Sequence, residues 1–127
     1  MRDLKELLSV DAPAIATLFD LFLDQPIVES DLGATAAVDS VRHIFIQQWT
    51  KLEDATTSYQ LRDAIHSTSG VIVLIEALFH HKAFAHDEEV GCYISALSGV
   101  TRDFVRALDL TVYSMEKTSE LLSGVMS

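Results

Sequence analysis

Residues 68–99 read TSGVIVLIEALFHHKAFAHDEEVGCYISALSG. The pattern predicts two long helices joined by a turn near the middle of this stretch. Apolar residues recur every three or four positions on both sides of the central polar stretch. Before it they are Leu61, Ile65, Ile72, Ile75 and Phe79; after it they are Val90, Ile94, Leu97, Phe104, Leu108 and Met115. This spacing is typical of amphipathic helices and predicts two of them, over 59–82 and 87–122.

A short turn near residue 84 would make these two helices an antiparallel hairpin. Residues whose numbers add up to about 168 would then face one another. Ser69 and Gly70 would lie level with Ser98 and Gly99. Because glycine has no side chain, this alignment predicts a close approach of the two backbones, and leucine at either glycine is expected to disrupt the fold. The alternative is that each glycine is merely tolerated, at about 1 kcal/mol.

The same register predicts two ion pairs further from the turn. Arg62 and Asp63 would lie near Arg102 and Asp103, with the two dipeptides running in opposite directions. Arg62 would then pair with Asp103, and Arg102 with Asp63. Exposed pairs contribute only about 0–1 kcal/mol, so they would mark the register rather than stabilise it.

The polar stretch HHKAFAHDEE (80–89) raises the question of a metal site, with His80 and His86 as candidate ligands. A metal needs several ligands that converge on one point, and adjacent histidines on a helix point about 100° apart. Local electrostatics offer another explanation. Histidines and Lys82 suit the negative end of one helix, and Asp87 can cap the next. We therefore predict capping, with no metal and no cofactor.

Two more helices are predicted upstream, which gives one all-α domain over 1–127. The first covers 1–25 and ends at Pro26, a loop covers 26–34, and Ser30 or Asp31 caps a second helix over 35–54. Ser58 is expected to cap the third helix, and the tail 123–127 to fray. The expected fold is an antiparallel helical bundle of about four helices with a long C-terminal helical hairpin.

Two features predict that this bundle is a dimer. The run VIVLI (71–75) is apolar on every side, so its helix must be covered all round. The last helix would span roughly 50 Å, more than a domain of this size is wide. It therefore either breaks near Gly99 or projects and pairs with another copy. The predicted outward-facing interface residues are Val71, Val73, Leu74, Leu78 and Trp49.

Composition narrows the classes of partner. The chain has 19 Asp and Glu against 9 Lys and Arg, a formal net charge of −10. Without a basic stripe, direct binding to nucleic-acid phosphates or anionic membranes is not expected. The longest apolar run has only five residues, far short of the ~20 of a membrane span. A lone Cys92 excludes an intramolecular disulfide, and a cytoplasmic location is expected.

The segment LRDAIHSTSGVIVLIEAL (61–78) resembles the motif of histidine phosphotransfer domains, which are small, acidic and all-helical. The resemblance implies that His66 is a phospho-acceptor and that Gly70 leaves room for a docking partner. Ser69 stands where those domains have a lysine, and Thr68 where an apolar residue is usual. The charge of that lysine would offset the phosphate.

Known enzyme signatures are missing from the sequence, which has no glycine-rich phosphate loop and no nucleophile elbow. The function predicted is that of a non-enzymatic protein-interaction module, a small regulator, adaptor or inhibitor that acts through an apolar helix surface. Its expected partners are a second copy of itself and another protein. Two alternatives stay open: phosphorelay through His66, and an acidic nucleic-acid mimic that inhibits a basic protein.

Overall fold

A computed structural model of the chain describes residues 3–126, with side chains for all of these except Ser123, Val125 and Met126. Across that range the chain is all-helical, without a strand, as the sequence predicts, and about five helices pack together. The elements are α1 (Leu4–Glu6), a π-helical turn (Leu7–Asp11), α2 (Ala12–Leu23), α3 (Pro26–Glu29), α4 (Leu32–Asp54), α5 (Ser58–Ala77), two 3-10 turns (Leu78–His80 and Lys82–Phe84) and α6 (Glu88–Met126).

The first helical segment runs without a break from α1 through the π turn into α2. Asp3 caps it, since its carboxylate accepts a hydrogen bond of 2.7 Å from the backbone N–H of Glu6. The π turn ends at Asp11, two residues before Pro13, which has no N–H to donate and whose ring crowds the carbonyl four residues earlier. The wider turn, closed by the N–H of Ala12 donating to the carbonyl of Leu7, accommodates the proline.

Helix α4 begins earlier than the sequence predicts. Part of the expected loop over 26–34 is the short helix α3, and α4 starts at Leu32. Of the two predicted caps Asp31 is the one used, and it accepts from the N–H of Ala34 at 2.8 Å. At α5 the cap is Thr57 rather than Ser58. Thr57 is extended and accepts from the N–H of Gln60, whereas Ser58 is already helical.

The connection between α5 and α6 differs most from the prediction. Helix α5 ends at Ala77 instead of residue 82, so His80, His81 and Lys82 do not form its last turn. His81 is extended, and its Nδ1 accepts a hydrogen bond of 3.1 Å from the N–H of Ala83. His81 thus caps the start of the 3-10 turn Lys82–Phe84, and does not place a positive charge in the last turn of α5.

The chain enters α6 through a left-handed residue. His86 has φ 67°, a conformation that histidine adopts more readily than most residues. Asp87 follows and accepts from the N–H of Val90 at 2.9 Å, which confirms the predicted cap. Helix α6 then continues through Gly99 to Met126, past the predicted end at residue 122. Of the predicted frayed tail, 123–126 is helical and Ser127 lies outside the described residues.

An aromatic cluster joins the helices in the core. Phe45 of α4 lies between Phe19 of α2 and Phe104 of α6, with ring centroids 6.1 and 6.2 Å away. Nearer the connection, Phe22 stacks on Tyr93 at 5.5 Å. Full burial of one such ring is worth about 1.5–3 kcal/mol. Helix α5 covers this cluster with aliphatic side chains and packs most extensively on α6 and then α4.

The register of α5 on α6 is marked by two ion pairs other than those predicted. Arg62 binds Glu116 through two hydrogen bonds of 2.8 and 2.6 Å, and Arg102 binds Glu76 at 2.6 Å. The numbers of each pair add up to 178 rather than 168. The helices are antiparallel, as expected, but the predicted Arg62–Asp103 and Arg102–Asp63 pairs are wrong.

This displacement follows from the connection. The 3-10 turns continue past the end of α5 and lengthen the path before α6 begins. Ala77 is therefore level with about residue 101, and the first three turns of α6 lie beyond the end of α5.

The predicted close approach of Ser69-Gly70 to Ser98-Gly99 is wrong as well. A Cβ added at Gly70 or Gly99 would meet nothing within 4 Å, and both glycines are exposed. Ser98 donates to Glu76 at 3.0 Å, whereas Ser69 donates to the carbonyl of its own helix neighbour His66. With the register displaced, the two glycines no longer share a level.

We expect Gly70→Ala and Gly99→Ala to stabilise the protein by about 0.5–1 kcal/mol each, because alanine costs less backbone entropy than glycine in a helix and open space receives its methyl group. Chemical denaturation of each variant measures the change. A loss of stability at either position would show that its side is packed. Gly33→Ala is a contrasting variant, since its Cβ would lie 3.3 Å from the capping carboxylate of Asp31.

The Arg62–Glu116 pair predicts a pH dependence. Its hydrogen bond and the charge of Arg62 lower the pKa of the Glu116 carboxyl. A lowered folded-state pKa contributes stability that is present above the ordinary glutamate value of about 4.3 and is lost as pH falls through the folded value. Glu116→Gln should therefore destabilise the protein at pH 7, and the difference from the parent should fade in acid. A difference that persisted unchanged at low pH would contradict this account.

Candidate protein-interaction surface

The structure divides the predicted interface residues into two groups. Val73 and Leu74 lie on the exposed side of α5, with 67% of Val73 accessible. Val71 and Leu78 are buried in the core, so the prediction is wrong for both. Trp49 is half-buried against the core, and its Nε1 finds no hydrogen-bond partner within residues 3–126. It is part of the α4 packing rather than an outward anchor.

The outer face of α5 is apolar and uncharged for more than two turns. We define this face by His66, Gly70, Val73, Leu74 and Ala77, all of which are exposed. Acidic and basic side chains border it without interrupting it. The face therefore offers small and branched apolar side chains, with His66 at its N-terminal end.

A second exposed apolar surface lies at the end of α6. Val112 is the last buried residue of this helix, and in the 14 residues from Tyr113 to Met126 no described side chain is buried. We call residues 113–126 the projection. It extends about 21 Å and exposes 71% of Leu121 and 59% of Leu122.

The projection continues the seam that packs α6 into the core. Leu108 is fully buried, and residues seven and fourteen positions later, Met115 and Leu122, occupy the same helical face. Met115 is 50% and Leu122 59% exposed, so the described chain covers this face only in part. The helix does not break at Gly99, so of the two predicted solutions the continuous one is observed.

Between α2 and α6 lies an open apolar groove of about 340 Å³. We call it the α2–α6 groove. It is lined by Val10, Asp11, Ala14, Ile15, Leu18, Val100, Asp103, Phe104 and Ala107. Ile15 and Phe104 are buried and form its floor, and the short side chains of Ala14 and Ala107 leave it unfilled. It has the volume and apolar lining of a site for a few inserted side chains.

The structure does not bring the candidate metal ligands His80 and His86 together into one site. His80 and His86 are exposed, on a 3-10 turn and on the residue before the α6 cap. In the part of the chain that the structure describes, no three His, Cys, Asp or Glu side chains are arranged to hold a metal ion. His66 lies apart from them on α5, and Arg62 one turn earlier is engaged by Glu116.

Sequence reasoning missed the α2–α6 groove. Its only signal is that Ala14 and Ala107 interrupt two stripes of larger apolar residues, and the gap appears only when both helices are placed side by side. It also missed Glu116 and Glu76 as the partners of the two arginines, because the displaced register was not predicted.

Comparison of the chain with protein-family models, with curated proteins and with solved structures gave no match, so the functional proposals rest on the geometry.

Among the described helices, none is both long enough and apolar enough to cross a membrane.

Proposed function

We propose that this chain is a non-enzymatic helical bundle that binds proteins, a small regulator, adaptor or inhibitor that acts as a homodimer. The observation that supports it is the projection, a continuous helix end whose Leu121 and Leu122 are left exposed by the rest of the described chain. Surfaces of this kind on a small protein are typical of interaction sites.

The energetics favour a second copy as the partner. The projection continues a packed helix and needs no nucleation, but without packing it is held only by weak helix propensity. Burial of Leu121 and Leu122 would contribute about 1.5–3 kcal/mol each, and a symmetric pair would gain this twice. The projection carries two acids and one lysine, a net charge of −1 in a chain of −10, so repulsion between copies is small there.

The outer face of α5 would remain free for a different protein. It lies on the side of α5 turned away from the core, and its only titratable group is His66. We place the module in the cytoplasm, because its one cysteine, Cys92, is exposed and a reducing compartment keeps such a thiol free.

We expect light scattering and sedimentation equilibrium to give the mass of a dimer. Leu121→Glu should raise the dimer dissociation constant about tenfold or more, because it puts a charge into an apolar contact. Leu32→Glu is the matched control. Leu32 is 87% exposed in the first turn of α4, where an acid suits the helix dipole, so this variant should dimerise like the parent. A parent protein that stays monomeric at every concentration would overturn the proposal.

A second candidate function, phosphotransfer through His66, is favoured by one observation. His66 is exposed, and Gly70 one turn later has open space where a Cβ would be, so a docking partner could approach the imidazole. The hydroxyl of Ser69 stands in place of a lysine and is engaged with the backbone, which leaves the phosphate without that counter-charge.

This candidate predicts that an acyl-phosphate donor such as acetyl phosphate labels the protein with one acid-labile phosphate. The label should disappear in His66→Gln and remain in His43→Gln, which changes another exposed histidine. Labelling that survives His66→Gln, or no labelling of the parent, would rule out the phosphorelay function.

The nucleic-acid-mimic alternative has no comparable support. A mimic needs its acids along one face, and here acidic residues occur on every α-helix of the described chain.

A further inference from the structure

The face of α6 that lines the α2–α6 groove continues into the projection, on a different side of the helix from Met115 and Leu122. Going along the helix, this face is formed by Val100, Asp103, Ala107, Leu110, Ser114, Lys117 and Leu121, which alternate three and four residues apart. The first three line the groove, and the last three belong to the projection. Leu110 stands between them with 53% of its surface exposed. One helix face thus carries both an unfilled groove and an uncovered end.

We propose that the projection of one copy fills the α2–α6 groove of a second copy, with the two α6 helices antiparallel and Leu110 at the twofold axis. This inference rests on the homodimer proposed above and adds the surface and the register. In such an isologous contact the same patch serves both copies, so each copy would give one projection and receive one.

The distances along α6 fit this arrangement. Leu121 lies eleven residues after Leu110, and Val100 lies ten residues before it, which corresponds to about 16 and 15 Å. An antiparallel partner would therefore lay its Leu121 against Val100, at the groove. The side chain of Leu121 from one copy would then pack on Ile15 and Phe104 of the other, which form the floor of the groove.

The charges fit as well. Asp103 lies seven residues before Leu110 and Lys117 lies seven residues after it, so antiparallel pairing about Leu110 puts each opposite the other, twice in the dimer. Within the described residues, Lys117 makes an exposed contact of 3.5 Å with Glu120 and lies 5.5 Å over the ring of Tyr113. Such contacts contribute little in water, so the lysine is free to turn to a better partner.

Disulfide trapping tests the position of the axis. In a Cys92→Ser background, Leu110→Cys should form a disulfide-linked dimer on mild oxidation, because only residues near the axis bring their own copies within disulfide range. Gln47→Cys in the same background is the control, since Gln47 is exposed on α4, away from this face. Cross-linking at residue 47 equal to that at residue 110 would overturn the proposal.

Charge exchange tests the register. Lys117→Asp and Asp103→Lys should each raise the dimer dissociation constant about tenfold, because each places like charges together at two sites. The double variant restores the opposite charges and should return to within about threefold of the parent. All four proteins are compared by sedimentation equilibrium in low salt, after circular dichroism shows equal helix content.

The outcomes separate this inference from the proposed function. A monomeric parent overturns both. A dimer that is not trapped at residue 110, or whose double charge variant is no better than the single ones, overturns this register alone, and the dimer then uses another surface. A trapped dimer with charge rescue supports both.

Discussion

The unequal length of α6 and of the helices that cover it is the constraint on which the rest of this structure depends. Its 39 residues extend roughly 58 Å, and its buried seam ends at Val112. Helices α2 and α5 both pack along this seam, and the Phe19–Phe45–Phe104 cluster ties α4 to it. Helices α2 and α5 are placed by how they meet α6, whereas α4 packs mainly on α5 and α2. The groove, the ion pairs and the projection follow from the contacts that α6 makes with α2 and α5.

Periodicity and capping residues account for what could be predicted from the sequence. The apolar spacing identified the long helices, and Asp31 and Asp87 marked two of their starts. The register of α5 on α6 could not be predicted in this way. It depends on two 3-10 turns and on His86 in a left-handed conformation, and neither leaves a distinctive local signature.

Only part of the predicted interface is exposed, because sequence periodicity also fails to show which side of a uniformly apolar helix faces the core. In an apolar run such as 71–75, hydrophobicity does not tell the buried side from the exposed one, so Val71 and Val73 looked alike although one is in the core and the other in solvent. Gly99 was ambiguous in the same way. A glycine in an exposed helix side costs about 1 kcal/mol and need not break the helix. Only the packing of neighbouring helices decides such cases.

The Arg62–Glu116 pair has a consequence for how the molecule responds to its own abundance. Glu116 lies near the start of the projection, so the pair ties that start to α5, and none of the described side chains after it is buried. Helix turns without buried contacts open more readily than the core. If a second copy covered these turns, their stability would rise with the protein concentration, through the dimerisation equilibrium. Scarce molecules would then present a frayed, protease-accessible end, and abundant ones would protect it. The level of the protein in the cell would set its own lifetime.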